Sequence, residues 1–276
     1  MLFLYSHHIV DLYCWIDDLV EHAVENGIGR PRLLRDSELI TMLVWNVVVL
    51  RQKTLKDLHR FVSLYHTHDF PHLPTYSGFI TACHRVLPQC FEMLSLLLDT
   101  TAPIRIMDAT MLPVCKRHRA DDHKVAKNIA KFGKNWQGWH YGFKLHASIN
   151  LDGALSGIAL TPANVYDAQM EHLLLNEHCR VAVGDTLYGA RVMRERMWRR
   201  YGTVIIAPPH PTQTKKIATP WQSDLLNRRS KIESVFDYLK EHLHLVTSFA
   251  RSVNGYLLHY VRILLSYQIM ALPTRG

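Results

Sequence analysis

The apolar residues of this chain change their period near residue 100, and that change limits the fold more than any other feature. Up to residue 98 they recur at helical spacing, in IVDLYCWIDDLVEHAV, SELITMLVWNVVVL, LKDLHRFVSLY and GFITACHRVLPQCFEMLSLLLD. Spacings of three and four put one apolar stripe on each helix. Breakers at GIGRP and DFPHLPTYSG separate the helices, and Ser37 stands where an N-cap is expected. From residue 103 the apolar runs become short and β-rich: IRIMD at 104–108, WHYGFKLHASIN, ALSGIALTP, RVAVGD at 180–185 and TVIIAPP at 203–209. Asp152-Gly153 between two alternating runs predicts a hairpin. Helices are expected at 188–200 and 228–244, with a last apolar helix in YLLHYVRILLSYQIMAL. The expected organisation is a small all-helical N-terminal domain over 1–100 and an α/β (α+β) domain over 101–276, its mixed sheet covered by helices.

Charge follows the same division. Residues 1–100 carry 8 Lys and Arg against 11 Asp and Glu, whereas 101–276 carry 24 against 13. The positive second part points to a polyanionic partner such as nucleic acid. Five cysteines without a CxxC pair argue against a disulfide framework or a zinc knuckle, and reduced thiols in the cytoplasm are expected. The longest apolar run, MLVWNVVVL at 42–50, is about half of the ~20 residues a membrane span needs. No membrane segment is expected, and the N-terminus lacks the basic region and cleavage site of a signal peptide.

Two of the apolar runs end in aspartate. Strand side chains alternate with period two, so Asp108 continues the row of Ile104 and Ile106, and Asp185 that of Val181 and Val183. A carboxylate at a core edge is costly unless it is paired or bound to metal, although capping a turn is the ordinary role for either residue alone. A third acid, Glu233, sits in LLNRRSKIESVFDYLK among Arg228, Arg229, Lys231 and Lys240. On a helix Arg229, Glu233 and Lys240 fall within roughly 40° of one another, beside the apolar stripe of Ile232, Phe236, Leu239 and Leu243. Arg229 and Glu233 read equally as a surface i,i+4 pair. If the three acids converge, they suit Mg²⁺ or Mn²⁺, with two ions activating the attacking oxygen and stabilising the leaving oxygen of a phosphodiester. Arg229 and Lys240 then become phosphate clamps.

The order Asp108, Asp185, then Arg229, Glu233 and Lys240 on one helix resembles that of the DDE transposases of bacterial insertion sequences, in particular their insertion-sequence 982-like branch. GFKLHASINLDGALSGIALTPANVYDA, VAVGDTLYGA and RRSKIESVFDYLK resemble their catalytic core, and RSVNGYLLHYVRILLSYQIMA their closing segment, together roughly 103–272. The resemblance implies a ribonuclease-H-like fold and catalytic, metal-holding roles for Asp108, Asp185 and Glu233. It also implies double-stranded DNA as partner, both element terminal inverted repeats and target, with a homodimer assembled on it. Lys144 is expected near the active site and, like Lys231, among the DNA contacts, and Asn164 and Asp167 are expected to hold a turn. Many relatives carry Tyr three residues before the Arg, where this chain has Leu226.

Outside these motifs, RADDHKVAKNIAKFGKNWQGWH reads as a mobile basic loop. Lys131, Lys134 and Trp136 in it are expected to hold DNA by phosphate attraction and stacking, the alternative being a solvated loop with its tryptophans packed on the sheet. RVMRERMWRR at 191–200 is a basic helix for which a DNA face and a solvated face are equally open. His66, His68 and His72 raise a histidine–metal hydrolase, but a Pro-rich loop is a poor frame for a rigid site. The remaining alternatives are a nuclease with the same acids that does not join ends, and a silent DNA-binding relative.

Overall fold

The computed structural model describes residues 9–20, 32–209, 219–246 and 249–272; the GIGRP breaker and the end of the first helical run lie outside them. Two compact units form, Met1–Leu97 with Leu239–Gly276, and Leu98–Tyr238.

The first unit is helical: α1 Ile9–Leu19, α2 Asp36–Trp45, α3 Leu55–Tyr65, α4 Tyr76–Arg85, α5 Leu87–Leu97 and, from the far end of the chain, α10 Val253–Ala271. Helix α2 starts one residue before the expected cap. Arg35 is the N-cap, its N–H donating to Glu38 Oε2 at 2.6 Å, and Ser37 lies buried in the first turn. A π-helical turn, Asn46–Leu50, follows and closes at Arg51 in the left-handed region (φ 51°). Every α10 side chain from Leu258 to Gln268 is buried, the polar His259, Arg262, Ser266 and Gln268 along with the apolar ones. It packs on α5, α2 and α4, and Gln268 Nε2 donates to the Leu97 carbonyl at 2.6 Å, satisfying an open end of α5. The final helix, placed with the β-rich part on sequence grounds, therefore groups with the N-terminal helices because they supply the apolar surface it needs.

The second unit carries the sheet: β1 Ile104–Cys115, β2 Lys131–Asn135, β3 Gly138–Ile149, β4 Leu155–Pro162, β5 Val181–Val183 and β6 Val204–Ile206. The order is β2-β3-β1-β5-β6, with β4 also paired to β3. β1, β3 and β4 are antiparallel, while β1, β5 and β6 are parallel. The predicted hairpin is β3–β4. Its turn is tied by Asn150 Oδ1, which accepts from the N–H groups of Asp152, Gly153 and Ala154, and Gly153 takes φ 103°. Part of the expected mobile loop is instead β2, an edge strand on β3; Gly133 in it lies so close to the Ala163 carbonyl that no side chain fits. Helices α6 Glu171–Leu174, α7 Arg191–Tyr201, α8 Pro220–Asn227 and α9 Ser230–Asp237 complete the unit. Met107, Ala182 and Ile205 of the sheet, with Tyr188 and with Met193 and Met197 of α7, form a core. Arg105 is 1 % exposed yet fully engaged, donating to the carbonyls of Thr100, Ala102 and Leu174 and to Asn176 Oδ1. A mixed sheet of this order, covered by helices, is the expected α/β (α+β) arrangement of ribonuclease-H-like kind.

The helix expected over 228–244 is α9, Ser230–Asp237, continued without interruption by a π-helical turn, Tyr238–His242; α8 precedes it as a separate helix.

Candidate active site

Carboxylates gather where the parallel part of the sheet ends. β1 runs for 12 residues, so Asp108 stands inside a strand, opposite Ala147 of β3, and not at a strand end as expected. The strand that ends is β5. Its ladder with β1 closes at Ile106–Val183, and Asp108 and Asp185 each follow two residues later. Asp185 has left the strand and caps the 3₁₀ turn Thr186–Gly189, its Oδ1 accepting from the Leu187 N–H at 2.9 Å. The ordinary capping role is thus filled.

Arg229, just ahead of α9, joins two of the acids. Its Nη2 lies 2.7 Å from Glu233 Oε1 and its Nη1 3.9 Å from Asp108 Oδ2. The surface i,i+4 pair and the approach of Glu233 to Asp108 are one arrangement. Side-chain exposure grades from 20 % at Asp108 through 30 % at Arg229 to 51 % at Glu233. Burial pushes the Asp108 carboxyl up to about 6; the Ala109 N–H bond and Arg229 oppose this, and the charges of Asp185 and Asp167 add to it. Burial also raises Asp185, with Asp167 again adding and the Leu187 and Tyr188 N–H groups opposing.

Asp167 is the residue that sequence reading undervalues. It does open a turn, Asp167–Gln169, but it also pairs with Lys144 (Nζ–Oδ1 2.9 Å), lies 3.6 Å from His146 Nδ1, and its charge reaches both Asp108 and Asp185. A carboxylate shortly after Pro162-Ala163-Asn164 is a weak signal, because acids in turns are common. Lys144, expected among the DNA contacts, is 12 % exposed and spends its ammonium on Asp167 and the Val165 carbonyl, so it faces protein and not solvent. His146 Nε2 bonds Thr161 Oγ1 at 2.9 Å, and burial lowers the ring's pKa to about 4.

Oxygen donors whose protonation is raised by burial and mutual repulsion are short of positive charge, which fits a hard divalent cation. In this geometry Arg229 supplies that charge, and among the described residues no group of three or more His, Cys, Asp or Glu is gathered closely enough to hold an ion. The same holds for His66, His68 and His72; His66 bonds Asp69 at 2.7 Å.

Lys131, Lys134 and Trp136 occupy β2 and the tip of the β2–β3 hairpin; Trp136 is 89 % exposed, and Lys134 Nζ lies 5.9 Å over the Trp139 ring. Lys231 is exposed in the first turn of α9, and Lys240 lies in the π turn, within the helical unit. The unit Leu98–Tyr238 carries 20 Lys and Arg against 13 Asp and Glu. Among the described residues no helix is long and apolar enough to cross a membrane.

Residues 99–253, more than half of the chain, match the family described as "Transposase DDE domain". The match is to the domain family as a whole. No curated protein matches the chain.

Proposed function

The chain belongs to the transposases with a DDE domain, and we propose that it cuts DNA at the ends of its own element and joins the freed ends to target DNA. The observation that carries this reading is the placement of Asp108 and Asp185, both two residues past the last pair of a parallel ladder, with Glu233 tied toward Asp108 by Arg229. In the proposed reaction water, and then the freed 3′-hydroxyl, attacks a phosphodiester in line. Asp108, Asp185 and Glu233 would hold Mg²⁺ or Mn²⁺, as two ions, and the chemistry the metal would supply is activation of the attacking oxygen and stabilisation of the leaving one. Arg229 holds Glu233 near Asp108 and brings positive charge to the phosphate being cut. Asp167 keeps Lys144 and His146 in place behind the site and adds negative charge to it. Lys131, Lys134, Trp136 and Lys231 engage the DNA backbone and bases, and Lys240 is a separate phosphate contact. The N-terminal helices recognise the element end or pair two copies into a homodimer on the DNA, and the protein works in the cytoplasm at the nucleoid.

The test is a strand-transfer assay with the DNA that flanks this gene. Joined products are expected from the parent and none from Asp108→Asn. Cleavage without joining would replace transposition by a nuclease, and binding without cleavage would make the chain a silent DNA-binding relative.

A further inference from the structure

A second site for phosphate lies wholly within the helical unit. A pocket of about 670 Å³ opens between the starts of α3, α4 and α10. Its walls include Thr54, the N-cap of α3; Tyr76 and Ser77 of the first turn of α4; and Ser252, the N-cap of α10. These helices are 11, 10 and 19 residues long, and the positive dipole end of each favours an anion; Thr54 and Ser252 already accept one N–H each, from Asp57 and Gly255, and Asp57 accepts from the Thr54 hydroxyl, so the other first-turn N–H groups are the ones open to a ligand.

A buried cation without a counter-charge is the independent observation. Arg262 of α10 lines the same pocket, is 3 % exposed, and makes one long bond, from Nη2 to the Lys53 carbonyl at 3.3 Å. Its Nε and Nη1 have no partner. Arg105, the other arginine buried to this degree, donates to four acceptors. An unpaired buried guanidinium is costly, and a native fold retains one where a ligand completes it. Around it stand more cations: Lys53, Lys56 and Arg251 are exposed at the rim, and no Asp or Glu lines the pocket among the described residues. The positive field is felt by neighbours. Burial lowers His259 to about 3 with Arg262 adding to the effect, and burial lowers His244 with Lys53, Arg262 and Arg51 adding.

We infer that this pocket binds a phosphate group, held by the Arg262 guanidinium and the three helix N-termini, with Lys53, Lys56 and Arg251 closing over it. A planar guanidinium with two free donor edges suits a tetrahedral oxyanion. The phosphate is that of a DNA backbone, whose sugar meets the apolar side of the pocket at Leu55 and Ile80. This choice of source rests on the transposase reading; the phosphate site itself does not.

The experiment is calorimetric titration of inorganic phosphate into the full chain at constant ionic strength in chloride, repeated with a short duplex present. Saturable binding is expected, weakened about tenfold or more in Arg262→Gln. Because that variant replaces a buried group, the exposed pair Lys56→Gln with Arg251→Gln is measured as well, and it is expected to lose binding about tenfold with its fold intact. Competition by the duplex assigns the site to DNA; saturable binding without competition overturns that source and leaves a free phosphate compound. No saturable binding by the folded parent, or equal binding by the Lys56→Gln, Arg251→Gln variant, overturns the site. Asp108→Asn is the control that separates the two claims: it is expected to lose strand transfer and to bind phosphate like the parent.

Discussion

Asp108 and Asp185 each stand two residues beyond Ile106 and Val183, the last registered pair of the parallel β1–β5 ladder. The two lie near enough that the charge of Asp185 helps to raise the Asp108 carboxyl. One is within a strand and the other caps a turn, so different backbone structures deliver them to one place.

Asp108→Asn and Asp185→Asn are expected to lower DNA cleavage by at least about a hundredfold while DNA binding persists, because a charge leaves the site and a side chain of similar shape remains. Cleavage and gel-shift assays on the same preparations check this. Asp185→Asn retains a turn-capping oxygen, so its fold should survive; loss of folding in both variants would mean that the acids are structural.

Asp108 also has a signature in stability. Its carboxyl titrates near 6 when folded and near the ordinary 3.8 when unfolded, so between those values the folded state holds the extra proton. The contribution of this residue to stability therefore falls as pH rises from about 4 to 6. Thermal unfolding of Asp108→Asn should show a midpoint above the parent at pH 7–8, with the two converging near pH 4. A variant less stable than the parent at pH 8 would contradict the burial of a charge at this position.

Glu233 is half exposed and its bond to Arg229 is a surface pair, so Glu233→Gln should cost well under ~1 kcal/mol of stability. Its cleavage rate should nevertheless collapse. Arg229→Ala should be milder and act more on DNA engagement. If Glu233→Gln cleaves at the parental rate under limiting Mg²⁺, the acid is only half of an ion pair, and Asp237, a turn later on α9, is the next residue to test.

Lys144 and His146 make a paired prediction. Lys144→Met leaves Asp167 with His146 as its near neighbour, and should cost about 1–3 kcal/mol, less than for a fully buried pair because Asp167 retains some exposure. Burial holds His146 near 4 and the Lys144 charge keeps it down, so loss of that charge should raise its midpoint toward 6.5 in an NMR titration. In the parent the unfolded chain takes up a proton between about 6.5 and 4 that folded His146 refuses, so this ring costs stability as pH falls through that window. DNA affinity should hardly change; a large loss would return Lys144 to the DNA contacts.

DNA affinity of the full chain should fall steeply as salt rises, through release of counterions from the phosphates that the Leu98–Tyr238 unit covers. Trp136→Ala should weaken single-stranded DNA binding by about 1–3 kcal/mol if the exposed ring stacks on a base, without shifting the salt slope. Lys134→Ala should reduce that slope. Trp136→Ala binding with parental affinity would leave the hairpin tip as solvated surface.

Local chemistry carried most of the elements. Apolar period alone marked α3 and α10, Asp152-Gly153 marked the β3–β4 hairpin, and the row Val181, Val183 marked β5. The order of acids and of Arg229 before Glu233 also lies in the sequence, since i,i+4 neighbours meet on any helix. Partners distant in the chain were beyond that reach. The length of β1 past Asp108 depends on pairing with β3, whose hydrogen bonds no local pattern encodes, and the change from α to π winding after Asp237 depends on backbone geometry that apolar spacing does not register. The attachment of α10 to the N-terminal helices follows from its being mostly apolar, a property that demands burial without naming the surface that provides it. For the same reason Asp167, Lys144 and His146 met only in three dimensions, and only the fold brings the starts of three helices to one pocket with Arg262.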